Sequence, residues 1–376
     1  MTDIRLGLIG AGAVGVLHAE AAHRAPGVRV AAVCDLLPAT AQAVASSWQA
    51  ACFTDHQALL ASGLVDAVVV NTPHALHRDI VLDCAAAGVH ILCEKPMATT
   101  VEDCLAMTRA CAEAGVVLFI GHIQHFLPPM AAARTALDDG AIGPLLMVDD
   151  RRSTDYRPGT RPSWFFDPAV SGGGVFMNIG THCVDRLLWL TGAQVRTVSA
   201  SAAHRETHPV ETDVLARLEL TGGLVGHIAV TSAGLPYHDE LVLIGERGAI
   251  KVSRGTGATL HPYTGPGAGT PVLLAAEAAT DVPEAFRRQL LDFAAAVRGE
   301  RAPSVTADHG LRVIEVVTAV YRSCATGRPT RFGAGLVPGP GPNPGLNPGL
   351  NPGLNPDPDP EPEADPDLEL VPRSAS

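Results

Sequence analysis

Apolar runs and Ala-rich stretches alternate along the first 120 residues of the chain. Runs of β-branched residues without polar alternation are typical of strands that are buried on both faces. The stretches between them have helical composition, so the order strand, helix, strand predicts an α/β domain with a doubly wound parallel sheet. The predicted strands are residues 4–9, 28–33, 67–70, 89–92 and 116–120, and the predicted helices are residues 14–25, 39–46, 75–87 and 101–114.

The pattern changes after Gly121. Apolar and polar residues then alternate with a period of two, and Gly-containing turns separate the segments, which is typical of an antiparallel sheet with one open face. A helix is predicted after Pro128, and two helices are predicted to close the region, which is therefore an α+β domain with a mostly antiparallel sheet. The predicted strands are residues 145–151, 195–203, 213–220, 224–231 and 240–244, and the closing helices are residues 283–298 and 306–325.

The last 41 residues have a composition of their own. They hold 12 of the 30 prolines, repeat the unit Asn-Pro-Gly-Leu from Asn343, and place seven carboxylates between Asp357 and Glu369. Such a segment buries too little apolar surface to offset the entropy of ordering it. Residues 336–376 are therefore predicted to be a disordered tail.

Charge and composition exclude several classes of protein. The formal net charge of -12 is incompatible with the basic surface of a nucleic-acid-binding protein. No apolar run reaches the roughly 18 residues that span a bilayer, so no membrane partner is expected. The eight cysteines form no C-x-x-C pair, which predicts free thiols and no metal site. Asp3 and a Gly-rich turn stand where a secretory signal needs a basic region and an apolar stretch, so we expect a cytoplasmic protein.

A Gly-rich turn joins the first predicted strand to the first predicted helix. Its G-x-G-x-x-G spacing permits a tight turn and lets the backbone approach a pyrophosphate at the helix N-terminus, although such a turn can also arise by chance. Asp35 ends the second strand, where a carboxylate binds the ribose hydroxyls of NAD and repels the 2′-phosphate of NADP. Leu36 and Leu37 supply no cation, so NAD is favoured over NADP. The residues predicted here to bind the cofactor are Gly10, Ala11, Gly12, Ala13, Val14, Gly15 and Asp35.

Two polar turns follow the next long strands, Asn71-Thr72-Pro73 and Glu94-Lys95-Pro96. Because ligands bind at the carboxyl ends of parallel strands, Asn71, Thr72, Pro73, Glu94 and Lys95 are also predicted to contact the cofactor. Lys95 and Lys251 are the only lysines, and all other cations are arginines. An ammonium group is compact and can lose its proton, which a guanidinium cannot, so Lys95 is a candidate catalytic residue and substrate ligand.

A second Gly-rich turn, residues 172–174, leads into a predicted helix with three polar residues on one face. Asn178, His182 and Asp185 follow the spacing i, i+4 and i+7. A histidine is well suited to take a proton near neutral pH, which makes His182 a candidate general base. The alternative is a buried histidine that Asp185 satisfies for structural reasons.

These motifs together resemble the glucose–fructose oxidoreductase, inositol dehydrogenase and MocA (Gfo/Idh/MocA) family over about residues 3–332. The resemblance rests on the Gly-rich turn, Asp35, the turns at residues 71–73 and 94–96, Gly121-His122, and the helix with His182 and Asp185. It implies an NAD(P)-dependent enzyme that interconverts a secondary alcohol and a ketone on a sugar, nucleotide sugar or cyclitol. It also implies a homo-oligomer, either a dimer or a tetramer.

The resemblance implies roles for particular residues. Lys95 contacts the reacting hydroxyl and His182 is the general base; the residues expected to bind substrate are Lys95, His122, Arg161, Trp164, Asn178 and His182. Inositol dehydrogenase-like members have Asp where Asn178 stands. Because Asn cannot accept a proton, this position also resembles members that act on nucleotide-linked sugars.

The domain organisation follows from these motifs. Residues 1–122 are predicted to form an NAD(P)-binding Rossmann domain, residues 123–335 an α+β domain for substrate binding and oligomerisation, and residues 336–376 the tail. Two other functions stay open: a non-catalytic NAD(P)-binding regulator, which Asn178 favours and Lys95 and His182 disfavour, and an NAD-dependent glycosidase.

Overall fold

The computed structural model describes residues 3–205, 208–232, 237–265 and 267–333. The predicted tail lies outside the described residues. The described chain divides into two compact units: residues 3–123 with 282–314, and residues 124–281 with 315–333.

The first unit contains a six-stranded parallel sheet in the order β3-β2-β1-β4-β5-β6. This is the strand order of a dinucleotide-binding Rossmann fold, and it confirms the predicted fold class. β3 was not predicted, because three half-exposed residues at a sheet edge carry no apolar run. The strands are β1 (Ile4–Ile9), β2 (Val28–Cys34), β3 (Ala51–Phe53), β4 (Ala67–Val70), β5 (His90–Glu94) and β6 (Leu118–Gly121).

Four of the five helices that connect these strands lie close to where the sequence predicts them, and the short helix His56–Ala61 was not predicted. The clearest example is α5, whose first turn is capped by the Thr100 hydroxyl accepting from the amide of Asp103, and whose end is set by Gly115 at φ 67°. Both devices are typical helix boundaries, and they explain why the predicted bounds are correct for this helix. The helices are α1 (Ala13–Arg24), α2 (Pro38–Trp48), α3 (His56–Ala61), α4 (His77–Ala86) and α5 (Val101–Ala114).

The first closing helix packs within the first unit. α9 (Asp281–Val297) places Phe293 edge-on against Phe119 of β6, with ring centroids 6.0 Å apart. Arg298 donates to the carbonyl of Gly27 at 2.8 Å. Residues 282–314 therefore belong to the first unit, whereas the sequence placed them in the second domain. The reason is that their apolar face covers strands that come much earlier in the chain.

The second unit contains a nine-stranded sheet in the order β14-β13-β12-β11-β7-β10-β9-β8-β15. All its pairs are antiparallel except β7 with β10, as predicted for a mostly antiparallel sheet. Along β9, Val214, Ala216 and Leu218 are buried, whereas Leu215 is 49% exposed, so one face of the strand packs in the core of the unit. The strands are β7 (Leu145–Ser153), β8 (Val195–Ala203), β9 (Asp213–Leu220), β10 (Val225–Thr231), β11 (His238–Gly245), β12 (Gly248–Ser253), β13 (Gly257–Pro262), β14 (Val272–Ala276) and β15 (Thr330–Arg331).

Three further helices lie in this unit: α6 (Pro128–Asp138), α7 (Pro168–Ser171) and α8 (Thr181–Thr191). α10 (Ala307–Thr326) begins in the first unit and ends in the second. Across the ranges that the structure describes, no helix combines the length and the apolar character needed to cross a membrane.

Candidate active site

The Gly-rich turn between β1 and α1 uses its glycines in two ways. Gly10 has φ +95°, and a Cβ there would lie 2.8 Å from the backbone of Asn71; a Cβ on Gly15 would lie 2.4 Å from the carbonyl oxygen of Gly10. Those two positions therefore require glycine. A Cβ on Gly12 would have no atom of the described chain within 4 Å, so the middle of the turn leaves room for a ligand. Ala13 and Val14 begin α1 directly after it.

Asp35 is held beside this turn at the end of β2. One carboxylate oxygen accepts from the amide of Ala11 at 2.8 Å, and the other accepts from the amide of Leu37 at 2.9 Å. Leu36 is 77% exposed between them. Ala11 and Asp35, which were both predicted to bind the cofactor, are thus in direct contact, and the carboxylate has a fixed orientation.

The turn after β4 supplies two further polar atoms at the same edge. Asn71 donates from Nδ2 to the carbonyl oxygen of Gly10 at 3.4 Å. Its Oδ1 and the Oγ1 of Thr72 are buried and have no hydrogen-bond partner in the described structure. Buried polar atoms are seldom left unsatisfied, and a dinucleotide offers hydroxyl donors of the kind they need. Together with Gly12 and Asp35, these atoms make the edge suitable for NAD; Pro73 completes this turn.

Glu94 is the last residue of β5 and is buried, and Lys95 follows it and is partly exposed. Glu94 accepts from His18 of α1 at 2.8 Å and from the backbone amide of Lys95 at 3.1 Å. Burial by itself would raise the pKa of Glu94, but the bond and charge of His18 together with the charge of Lys95 outweigh it and lower the pKa. A Cβ on Gly121 would lie 2.9 Å from the Glu94 carboxylate, so this close approach requires glycine on β6. The Lys95–Pro96 bond is cis.

His122 follows β6 and is 1% exposed. Its ring stands perpendicular to that of His309 at 5.6 Å between centroids. Both residues belong to the first unit, as does Lys95, whereas the other predicted substrate ligands belong to the second.

The helix with His182 has two parts. Residues Phe176–Gly180 form a π-helical turn, and α8 continues from Thr181. A Cβ on Gly180 would lie 2.4 Å from the ring of Phe176, so this widened turn requires glycine. The sequence predicted one continuous α-helix, and the wider turn changes the spacing between Asn178 and His182. Asn178 is 4% exposed and His182 is 6% exposed.

Glu211 fixes the start of this helix. It accepts from the amides of Gly174 at 2.7 Å and Phe176 at 3.0 Å, and from the hydroxyl of Tyr321 at 2.7 Å. Tyr321 accepts in turn from the amide of Met177 at 3.0 Å. Burial raises the pKa of Glu211, and these donors oppose that shift only in part. The first amides of a helix need acceptors, and a buried carboxylate provides them here.

Two sets of polar contacts hold the middle of α8. Asp185 accepts from His125 Nε2 at 2.8 Å, and the His125 ring stacks on Trp189 at 4.2 Å. The next residue, Arg186, donates to Asp150 from Nε at 2.6 Å and pairs with Asp239 at 2.8 Å.

A second guanidinium belongs to the Arg186 system, since Arg152 also pairs with Asp239, at 3.3 Å. Burial alone would raise the pKa of Asp239, but the charges of Arg152 and Arg186 lower it to about 2.

Arg161 and Trp164 lie in the segment between β7 and α7. The Arg161 guanidinium stands over the ring of Tyr156 at 4.9 Å and reaches the Thr154 hydroxyl at 3.4 Å. Trp164 stacks on Phe165 with 3.8 Å between centroids. The structure therefore groups Arg161 with an aromatic cluster of the second unit.

Four residues of the two units were not assigned a role from the sequence: His18, His77, Glu211 and Tyr321. Most of their contacts are with residues distant in sequence, and no motif signals such pairs. The sequence feature that could have indicated a role for Glu211 is an acidic residue between two predicted strands. That feature is weak evidence for a functional residue.

Fold and site define an oxidoreductase with an NAD-binding Rossmann fold. Residues 4–122 match the family model described as "Oxidoreductase family, NAD-binding Rossmann fold", and residues 130–251 match the GFO/IDH/MocA C-terminal domain. The chain belongs to the Gfo/Idh/MocA family, which confirms the resemblance seen in the sequence.

Curated relatives cover most of the described chain. Inositol 2-dehydrogenase of Rhizobium meliloti (strain 1021) is 30% identical over 333 residues, which is 86% of this chain and 98% of the relative. A 2,7-anhydro-N-acetylneuraminate hydratase of Escherichia coli (strain K12) is 32% identical over 253 residues, 66% of this chain and 67% of the relative. Among solved structures, GenD2 from gentamicin A biosynthesis in complex with NAD matches with a TM-score of 0.79 and 26% identity, covering 89% of this chain and 97% of GenD2.

Proposed function

We propose that this protein oxidises a secondary alcohol of a sugar, nucleotide sugar or cyclitol to the ketone with NAD, or catalyses the reverse reduction. The observation that supports this most directly is the edge of the first sheet, where Gly12 leaves space and Asn71 Oδ1 and Thr72 Oγ1 are buried acceptors. Lys95 directly follows the neighbouring strand β5 at that edge. The inositol 2-dehydrogenase relative supports the alcohol class.

The cofactor is proposed to be NAD rather than NADP. Asp35 would accept from the adenosine ribose hydroxyls, and Gly10–Gly15 with Asn71, Thr72, Pro73 and Glu94 would hold the rest of the dinucleotide. A 2′-phosphate would meet the Asp35 carboxylate, and the neighbouring Leu36 and Leu37 offer no compensating cation.

Lys95 and His182 are proposed to divide the chemistry at the alcohol. The Lys95 ammonium donates to the reacting oxygen and stabilises the negative charge that develops there. His182 takes the hydroxyl proton as general base. Bound NAD supplies the acceptor for the hydride that leaves the same carbon. Asn178 is an amide and cannot accept the proton, so it orients a hydroxyl instead.

His122, Arg161 and Trp164 are proposed to bind the remainder of the substrate. A guanidinium donates to hydroxyl or carbonyl oxygens, and an indole packs on the apolar face of a sugar ring. Arg161 is already oriented by Tyr156 and Thr154, so it would lose little freedom on binding.

The test is a screen of inositols, free hexoses and nucleotide sugars, read as NADH absorbance with product analysis. The proposal expects a ketone and one NADH per turnover. Released sugar without net NADH would instead indicate a glycosidase, and gain or loss of water would indicate a hydratase like the E. coli relative. NAD binding without turnover on any substrate would favour a regulator.

Lys95→Ala and Lys95→Arg examine the assigned role of the ammonium. Both should reduce kcat strongly while NAD still binds, because a larger planar guanidinium cannot replace the compact ammonium. Wild-type turnover in Lys95→Ala would remove Lys95 from the mechanism.

We also propose a cytoplasmic location and a homo-oligomer, the latter tested by light scattering on the full chain.

A further inference from the structure

A buried histidine joins the two turns at the edge of the first sheet. His77 is the first residue of α4 and has no exposed surface. Its Nε2 lies 2.8 Å from the carbonyl oxygen of Thr72, and its Nδ1 lies 3.0 Å from the carbonyl oxygen of Pro96. The two ring nitrogens therefore contact the turn that follows β4 and the turn that follows β5.

Each of the two contacts requires an N–H on the ring. A carbonyl oxygen only accepts, and a neutral imidazole carries one N–H. Burial lowers the pKa of His77, although the carbonyls of Thr72 and Pro96 and the charge of Glu94 act in the opposite direction. The neutral ring donates to one carbonyl at a time, to Pro96 from Nδ1 in one tautomer and to Thr72 from Nε2 in the other.

We propose that His77 is a positioning residue that holds the Lys95–Pro96 turn through Nδ1 in one tautomer and the Asn71–Pro73 turn through Nε2 in the other. This inference rests on the proposed function, in which Lys95 polarises the hydroxyl and Asn71 and Thr72 bind NAD. The Pro96 carbonyl is one residue from Lys95, so movement there displaces the ammonium from the reacting oxygen. Small displacements of a positioned group reduce the rate steeply. The Thr72 carbonyl belongs to a residue whose hydroxyl is assigned to the cofactor, so movement there weakens NAD binding.

Two substitutions separate the two contacts. Gln places an amide N–H near the position of imidazole Nε2, and Asn places one near the position of Nδ1. His77→Gln keeps the bond to Thr72 and loses the bond to Pro96, so kcat should fall about tenfold with the Kd for NAD unchanged. His77→Asn keeps the bond to Pro96, so the Kd for NAD should rise about tenfold while kcat at saturating NAD stays near wild type. Each tenfold change corresponds to the loss of one hydrogen bond.

The measurements are NAD binding by calorimetry, kcat at saturating NAD, and thermal unfolding of each variant. His56→Gln is the matched control, because His56 also bonds to α4, through Asp83 at 2.8 Å, and contacts neither turn. It should alter unfolding temperature without altering Kd or kcat.

Two results would overturn the proposal. One is an equal change of kcat and Kd in His77→Gln and His77→Asn, or no change beyond the control. The other is failure of both variants to fold, which would make His77 a structural residue. If Lys95→Ala keeps wild-type turnover, the proposed function fails at Lys95, and the calorimetric comparison still decides whether His77 positions the Thr72 turn.

Discussion

The edge of the first sheet and helix α8 of the second unit hold their polar residues by different means. At the sheet edge, most contacts join a side chain to a backbone group, such as Asp35 with the amide of Ala11 and His77 with the carbonyl of Thr72. Around α8, many contacts join side chains from distant segments, such as the ion pair of Arg186 with Asp239 and the hydrogen bond from Tyr321 to Glu211.

The physical reason lies in the two architectures. A parallel sheet brings successive strand ends to one edge. The turns that follow the strands therefore lie close together, whichever side chains they carry. A helix that starts after a Gly-rich turn has unsatisfied amides, and a polar helix face that enters the core must be paired. Charged partners on other elements meet both needs, and the resulting network ties α8 to β7 and β11.

The largest expected effect is on catalysis at α8. His182→Ala should reduce kcat by about 10²–10⁴, the usual cost of losing a general base. NAD affinity should stay unchanged, because the proposed cofactor contacts lie in the first unit. Single-turnover hydride transfer and NAD titration check both points, with Asn178→Ala as the control that should mainly raise KM. Near-wild-type hydride transfer in His182→Ala would eliminate His182 as the general base.

The next largest expected effect is on the free energy of unfolding, and it shows how much the buried ion pairs around α8 stabilise the protein. Arg186→Met leaves Asp150 and Asp239 buried without their shared partner, which should lower the free energy of unfolding by about 3–5 kcal/mol. Arg217→Met, which breaks an exposed pair with Glu219, should have a much smaller effect. Denaturant unfolding of both variants makes the comparison. Equal effects would mean that the buried network does not hold α8.

A smaller effect depends on pH. The pKa of Asp239 is about 2 in the folded protein, below its usual value of 3.8, so its ionised form favours folding. This contribution, on the order of 2 kcal/mol, is present above pH 3.8 and is lost as pH falls towards 2. Asp239→Asn should therefore flatten the dependence of unfolding free energy on pH between 4.5 and 2.5. If the variant keeps the wild-type slope in that range, the loss of stability at low pH must come from other carboxylates.

The smallest effect concerns cofactor choice at the sheet edge. Asp35→Ser with Leu36→Arg removes a repulsion and adds a cation, which should raise the kcat/KM ratio of NADP to NAD by about tenfold, equivalent to 1.4 kcal/mol. The wild-type ratio is the reference, and Leu36→Arg alone isolates the added charge. If the wild type already prefers NADP, Asp35 has been given the wrong role.

The sequence by itself determined the class of fold and most of the first site. That information is local: it lies in the buried apolar runs, in the helix caps and in the spacing of Gly10–Gly15, Asp35, Asn71 and Lys95. It suffices because the turn after each parallel strand lies at the same edge of the sheet. The edge strand β3 and strands β12–β14 were not predicted, since their patterns are short or weakly alternating.

Tertiary structure alone decided how these residues are supported. The return of residues 282–314 to the first unit and the partners of Glu211 and Arg186 depend on contacts between segments far apart in the chain. A buried polar group needs a partner, but local sequence does not specify which distant residue supplies it. Only the packing of the strands and helices makes that choice.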